Sequence, residues 1–287
     1  MAVYKRGYQR YTGPVTGEWT RLLAFPRFAW RRLLGQRLVI IALMISILPV
    51  IVAATFIYLG NHQELWRGLR MGEEARLLDP NGSFFLIFTN AQAALAVMVA
   101  ALTGPGLIAP DLANGGLPLY FSRPLTRRDY VLARLIVLMG LLSLLTWIPG
   151  LLLFLLQSTM AGGDWAVKNW NIGAGIAGGQ MIWITFVSLV ALAASAWVKW
   201  RIIAGALILA LFFVTAGAGG VINAVFRERW GMYLNPAINM SNLWREFFGL
   251  DLPEGLDAGT SAICLALMAA GFVWALSRKL RPVEVVR

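Results

Sequence analysis

Long apolar runs alternate with short polar segments along the whole chain. The runs are Leu38–Leu59, Phe84–Ala109, Tyr130–Leu156, Asn171–Val198, Ile202–Phe226 and Thr260–Ser277. A bilayer core of ~30 Å takes roughly 20 mostly apolar residues at about 1.5 Å per residue. The pattern therefore predicts six membrane-spanning helices and an all-α fold. A cleaved signal peptide is not expected, because the first run is too long and starts too late for one.

The polar and glycine-proline positions divide these runs. From Glu18 to Gln36, Trp19, Leu22, Leu23, Phe25, Phe28, Trp30, Leu33 and Leu34 recur at near-helical spacing with Arg21, Arg27, Arg31 and Arg32 between them. That pattern predicts a helix lying in the membrane interface, bent or broken at Pro26. Pro49 predicts a kink in the first span. Thr103-Gly104-Pro105-Gly106 predicts a bend at the end of the second, and Trp147-Ile148-Pro149-Gly150 a kink in the third. Gly60–Ser83 reads as a loop with a short helix around Glu64–Leu77. Gly175 and Gly179, four apart, open one helix face to close approach by another backbone. The short turn Lys199-Trp200-Arg201 makes the fourth and fifth spans a tight antiparallel hairpin. Pro236–Phe248 is amphipathic and too short to span, which predicts a re-entrant or interfacial helix before the last span, with Pro236, Asn239, Asn242 and Trp244 shaping it.

Composition agrees. Hydrophobic residues make up 59% of the 287 and charged residues 14%, against about 25% charged in a soluble domain, and the mean hydropathy is +0.67. Six spans leave no room for a second folded domain, so 1–287 is expected to be one membrane domain: a lead-in and interfacial helix at 1–37, the six-helix body at 38–277 and a tail at 278–287. Only Arg67, Arg70, Arg76, Lys168, Arg227, Arg229 and Arg245 of the 25 Lys and Arg fall on the side opposite the termini. By the positive-inside rule both ends are cytoplasmic. The net charge of +11 then signals topology and contact with anionic membrane lipids, not nucleic-acid binding, which needs a basic face on a soluble domain.

Several chemistries lack their residues. No Gly-x-x-x-x-Gly-Lys-Ser/Thr phosphate loop occurs, so no ATP site of its own is expected. His62 is the single histidine and lies in a loop, which argues against a zinc site or a histidine-dependent hydrolase. Glu73-Glu74 has no histidines to work with, and the lone Cys264 cannot form an intramolecular disulfide. No metal site and no catalytic residue is expected. The spans hold almost no ionisable groups, which argues against ion-coupled carriage. Arg134, one turn into its helix, is expected to reach the interface.

One segment carries the functional signal. Pro110–Tyr130 is polar, basic and turn-rich between two apolar runs, and it holds Asp111, Asn114-Gly115-Gly116, Leu117–Phe121, Ser122-Arg123-Pro124, Arg127, Arg128 and Tyr130. Asn114-Gly115-Gly116 suits a sharp turn, Pro124 fixes the chain before a new helix, and Asp129 suits that helix's N-terminus. The order of acid, small residues, apolar stretch, Ser-Arg-Pro, basic residue and aromatic resembles the first cytoplasmic loop of permeases of the type-2 class of ATP-binding-cassette exporters. The family's acid is more often Glu, so Asp111 has a shorter reach. The local likeness covers about thirty residues, and the layout of an interfacial helix, six spans and a long outer segment extends it.

That resemblance implies a transmembrane permease subunit in a bacterial-type plasma membrane, paired with a second copy or a paralogue. It also implies two copies of a separate cytoplasmic ATPase that bind ATP and Mg. Asp111, Gly115, Gly116, Leu117, Tyr120, Arg123, Pro124, Arg127 and Arg128 would form the coupling loop. Two alternatives stand beside it. One is an integral-membrane enzyme acting on lipid or lipid-linked sugar head groups, and the other is a non-transporting membrane anchor for an ATPase.

Overall fold

The computed structural model describes residues 18–62, 80–114 and 126–279, with the side chains of 18–25 and of Arg127 left aside. Its elements in chain order are α1 (Glu18–Leu34), α2 (Arg37–Asn61), α3 (Gly82–Thr103), α4 (Pro105–Ala113), α5 (Arg127–Ser143), α6 (Trp147–Ala161), α7 (Gly163–Lys168), α8 (Trp170–Trp197) and α9 (Arg201–Phe226). A 3-10 turn (Trp230–Leu234), α10 (Pro236–Phe247) and α11 (Ala258–Lys279) complete it. The fold is all-α. Among the described residues six helical stretches are long and apolar enough to cross a membrane: α2, α3 with α4, α5 with α6, α8, α9 and α11.

Local sequence sets the helix ends. Asn81 caps α3 by accepting the Phe84 N–H at 3.1 Å, and Thr126 with Asp129 forms a reciprocal capping box at the start of α5. Pro105 and Pro236 take first-turn positions in α4 and α10, where the missing N–H costs nothing. The predicted breaks fall where expected in two spans. Gly104 separates α3 from α4, and residues 144–146 separate α5 from α6. Pro149 then lies in the first turn of α6, and the Thr146 hydroxyl donates to the Leu142 carbonyl at 2.8 Å. The other two prolines do not interrupt their helices. α1 continues through Pro26 and α2 through Pro49.

α3 and α8 form the centre, with 61% and 67% of their span residues buried, against 17–22% for α2, α9 and α11. Trp183 of α8 is buried and donates to the Ala93 carbonyl of α3 at 3.1 Å, which locks the two central helices together. The outer helices turn large apolar side chains outward, Met44 and Leu48 on α2, Phe213 and Val225 on α9 and Leu267 on α11. Such faces suit lipid or another apolar surface. α1 is not a free interfacial helix, for Trp30 donates to the Val137 carbonyl of α5 at 3.1 Å and its ring lies on Gly140. Arg27, Arg31 and Arg32 remain exposed.

Candidate functional site

Two polar constructions stand at opposite ends of the bundle. The first surrounds the elbow from α4 to α5. Gly104 sits against Ala191 of α8, where an added Cβ would come within 2.6 Å of the alanine methyl. The chain turns there into α4. The hydroxyl of buried Ser195 donates to the Pro105 carbonyl at 3.0 Å and accepts the Ile108 and Ala109 N–H groups at 3.2 and 2.9 Å. A side chain from α8 thus occupies the backbone ladder of α4, a recognised cause of helix bending. From the other arm of the α8–α9 hairpin, Arg201 donates to the Leu102 carbonyl at 3.1 Å and to Gln36 Oε1 at 2.9 Å.

At the far end of α4, Asp111 accepts two charged or polar donors from α5. Tyr130 Oη donates to Asp111 Oδ2 at 2.7 Å, and Arg134 Nη2 forms an ion pair with the same oxygen. The Arg134 guanidinium also lies 4.7 Å from the centre of the Tyr130 ring. Arg134 is only 3% exposed, so it does not reach out to the interface as its position near the helix start suggested. It turns inward because the Asp111 carboxylate is there. Asp111 and Tyr130 are therefore brought together, and the two ends of the intervening loop are clasped. Arg128 is exposed beside the capping box. Gly115, Gly116, Leu117, Tyr120, Arg123 and Pro124 lie outside the described residues, as does the Arg127 side chain. The loop helix around Glu64–Leu77 lies outside them too.

The second construction is at the opposite end. Asn235 caps α10 by accepting the Ala237 N–H at 2.9 Å, and Pro236 follows, buried. Asn239 donates to the Tyr233 carbonyl at 2.8 Å and Asn242 to the Ser261 hydroxyl of α11 at 3.0 Å. Trp244 is 1% exposed and meets Trp183 edge-on at 6.1 Å between ring centres. The small face of α8 receives this helix. Gly179 lies under the Trp244 indole, and Gly175 lies under Phe247 and Phe248. The expectation of backbone against backbone is corrected here, since large side chains of α10 fill the space that the glycines leave. A true backbone approach occurs elsewhere, at Gly219, whose nearest neighbour is the Gly231 carbonyl.

Sequence reading thus named Asp111, Asn239, Asn242, Trp244, Gly175 and Gly179 but not their partners. Ser195, Arg201 and Arg134 were missed as parts of the elbow. A usable signal for Arg134 was Asp111, an acid at a helix end beside a basic segment, which requires a cation close by when half-buried. No family model matches the chain, and a search of curated proteins finds no matching relative.

Proposed function

We propose that this polytopic membrane protein is the transmembrane permease subunit of an exporter driven by a separate cytoplasmic ATPase. The permease works as a dimer with a second copy or a paralogue in a bacterial-type plasma membrane, with both termini cytoplasmic. ATP and Mg belong to the ATPase, of which two copies bind below. The loop closed by Asp111 is the docking element.

The observation that carries this reading is the clasp of Asp111 by Arg134 and Tyr130, together with the Ser195 and Arg201 contacts behind it. A loop whose ends are joined cannot absorb a push by opening. Force applied to it passes into α4 and α5, and through Ser195 and Arg201 into the α8–α9 hairpin. The loop's Ser-Arg-Pro pattern and the positive-inside distribution support the same reading. At the other end, α10 seated on Gly175 and Gly179 caps the central helices where a cargo would leave. An apolar groove of about 270 Å³, bordered by Met98, Phe213 and Trp244, runs beside it, which suits a lipidic or amphipathic cargo.

The test is co-purification of the tagged chain with the ATPase encoded beside its gene, followed by an ATPase assay. Replacing Arg123-Pro124-Leu125 by three alanines is expected to abolish association and coupled hydrolysis. Full association and coupling in that variant would defeat the docking assignment.

A further inference from the structure

At the elbow end, α2 and α9 pack on α3 and leave a groove of about 750 Å³ between them. Met98 and Leu102 form its floor, and Leu38, Ile202, Ala206 and Leu209 its walls. The mouth carries Gln36, Arg37 and Arg201. Gln36 and Arg201 also border a second hollow of about 230 Å³, where Arg32 joins them above Asp111. Arg37 and Arg201 thus border the apolar groove, and Arg32 and Arg201 the hollow that shares Gln36 and Arg201 with it.

Among the described residues, none neutralises these charges. Arg32 and Arg37 are exposed and make no hydrogen bond or ion pair among the described residues. Arg201 is held in place by Gln36 and the Leu102 carbonyl, through one nitrogen, which leaves its other donors for an outside acceptor. Asp111, which borders the smaller hollow, is already engaged by Arg134 and Tyr130.

We propose that this opening and groove bind an anionic phospholipid of the elbow-side leaflet. The headgroup phosphate sits among Arg32, Arg37 and Arg201, and an acyl chain lies along Met98 and Leu102. Charge complementarity selects this occupant, because basic pockets between membrane helices attract anionic headgroups. A dissolved phosphate would leave the apolar groove unused. A second copy of the chain fits poorly, since a twofold contact centred here would set arginine against arginine. The bound lipid would link α1, α2 and α9, helices that otherwise meet weakly at this end. The proposal does not require an ATPase partner.

The test uses the full chain in nanodiscs of equal phosphatidylglycerol and phosphatidylcholine, with retained lipids counted by native mass spectrometry. The wild type is expected to retain phosphatidylglycerol in preference. Arg32→Gln and Arg37→Gln should each lower that preference about fivefold, which corresponds to about 1 kcal/mol per basic residue. Ala206→Phe, which fills the groove without changing charge, should lower retention of both lipids. Added phosphatidylglycerol should raise the melting temperature of the wild type but not of the doubly substituted protein. Equal retention of the two lipids by the wild type overturns the proposal, as does unchanged retention in the arginine or the Ala206 variants. Protection by inorganic phosphate equal to that by phosphatidylglycerol overturns the lipid assignment. High-yield crosslinking of Ile202→Cys between two copies, in a Cys264→Ser background, would show that the chain covers its own groove and would overturn it too.

Discussion

The Ser195 hydroxyl stands between the Pro105 carbonyl and the Ala109 amide, donating to one at 3.0 Å and accepting from the other at 2.9 Å. A side chain of α8 thus bonds both ends of the first turn of α4. The elbow's direction is therefore set by a neighbouring helix. Ser195→Ala is expected to lower stability by about 1–2 kcal/mol, the range for polar contacts between membrane helices. Thermal melting monitored by the loss of soluble monodisperse protein checks this. A melting point identical to that of the wild type would mean that the ladder closes unaided.

Asp111 and Arg134 lend themselves to a double-mutant cycle. Asp111→Ala alone leaves a nearly fully buried guanidinium without its counter-charge, which should cost about 3 kcal/mol. Arg134→Met alone leaves a half-exposed carboxylate and should cost less. The double variant should recover more than half of the loss caused by Asp111→Ala, as apolar replacement of buried pairs commonly does. Strictly additive losses would show that the two side chains do not depend on each other.

The glycine face of α8 supplies its own control. A Cβ at Gly175 would come within 2.7 Å of Phe247 Cβ, whereas one at Gly178 meets nothing within 4 Å. Gly175→Ala and Gly179→Val should therefore destabilise the protein by about 1–3 kcal/mol through overpacking against α10. Gly178→Ala should leave the melting temperature unchanged or raise it slightly. Equal effects at the three positions would contradict the seating of α10 on this face.

Asp257 provides the pH dependence. Its carboxylate accepts the Thr260 N–H at 2.7 Å and the Thr260 hydroxyl at 3.0 Å, capping α11. The backbone hydrogen bond from Thr260, then its hydroxyl, hold the carboxyl below the usual aspartate range. A lowered folded value means the cap stabilises above the ordinary aspartate pKa of about 3.9 and is lost as pH falls through the lowered one. The gap in melting temperature between wild type and Asp257→Ala should be constant from about pH 7 to pH 5 and shrink below about pH 4. A gap that persists unchanged at about pH 2 would assign the cap to geometry alone.

The spans were legible because each needs only length and apolarity, which local sequence carries in full. Breaks at Gly104-Pro105 and before Pro149 were legible for the same local reason. A break at Pro26 did not follow, because whether a helix continues past a proline depends on its neighbours. The sites divide in the same way. Asp111 announces itself as an acid in a basic segment, but its dependence on Arg134 requires knowing that α4 and α5 face each other. Ser195 gives no signal at all, since a serine near a helix end usually bonds its own helix. Gly175 and Gly179 declared an open face without declaring that Trp244 and Phe247 would fill it.

Trp30 finds its acceptor, the Val137 carbonyl, 107 residues further along the chain. The ribosome must therefore complete two spans and begin a third before Trp30 has its acceptor. Until then α1 lacks its seat on α5, and its exposed Arg27, Arg31 and Arg32 are available to anionic headgroups. A nascent protein arrested short of Gly140 is expected to leave the Trp30 face of that helix uncovered, and release of the arrest to cover it.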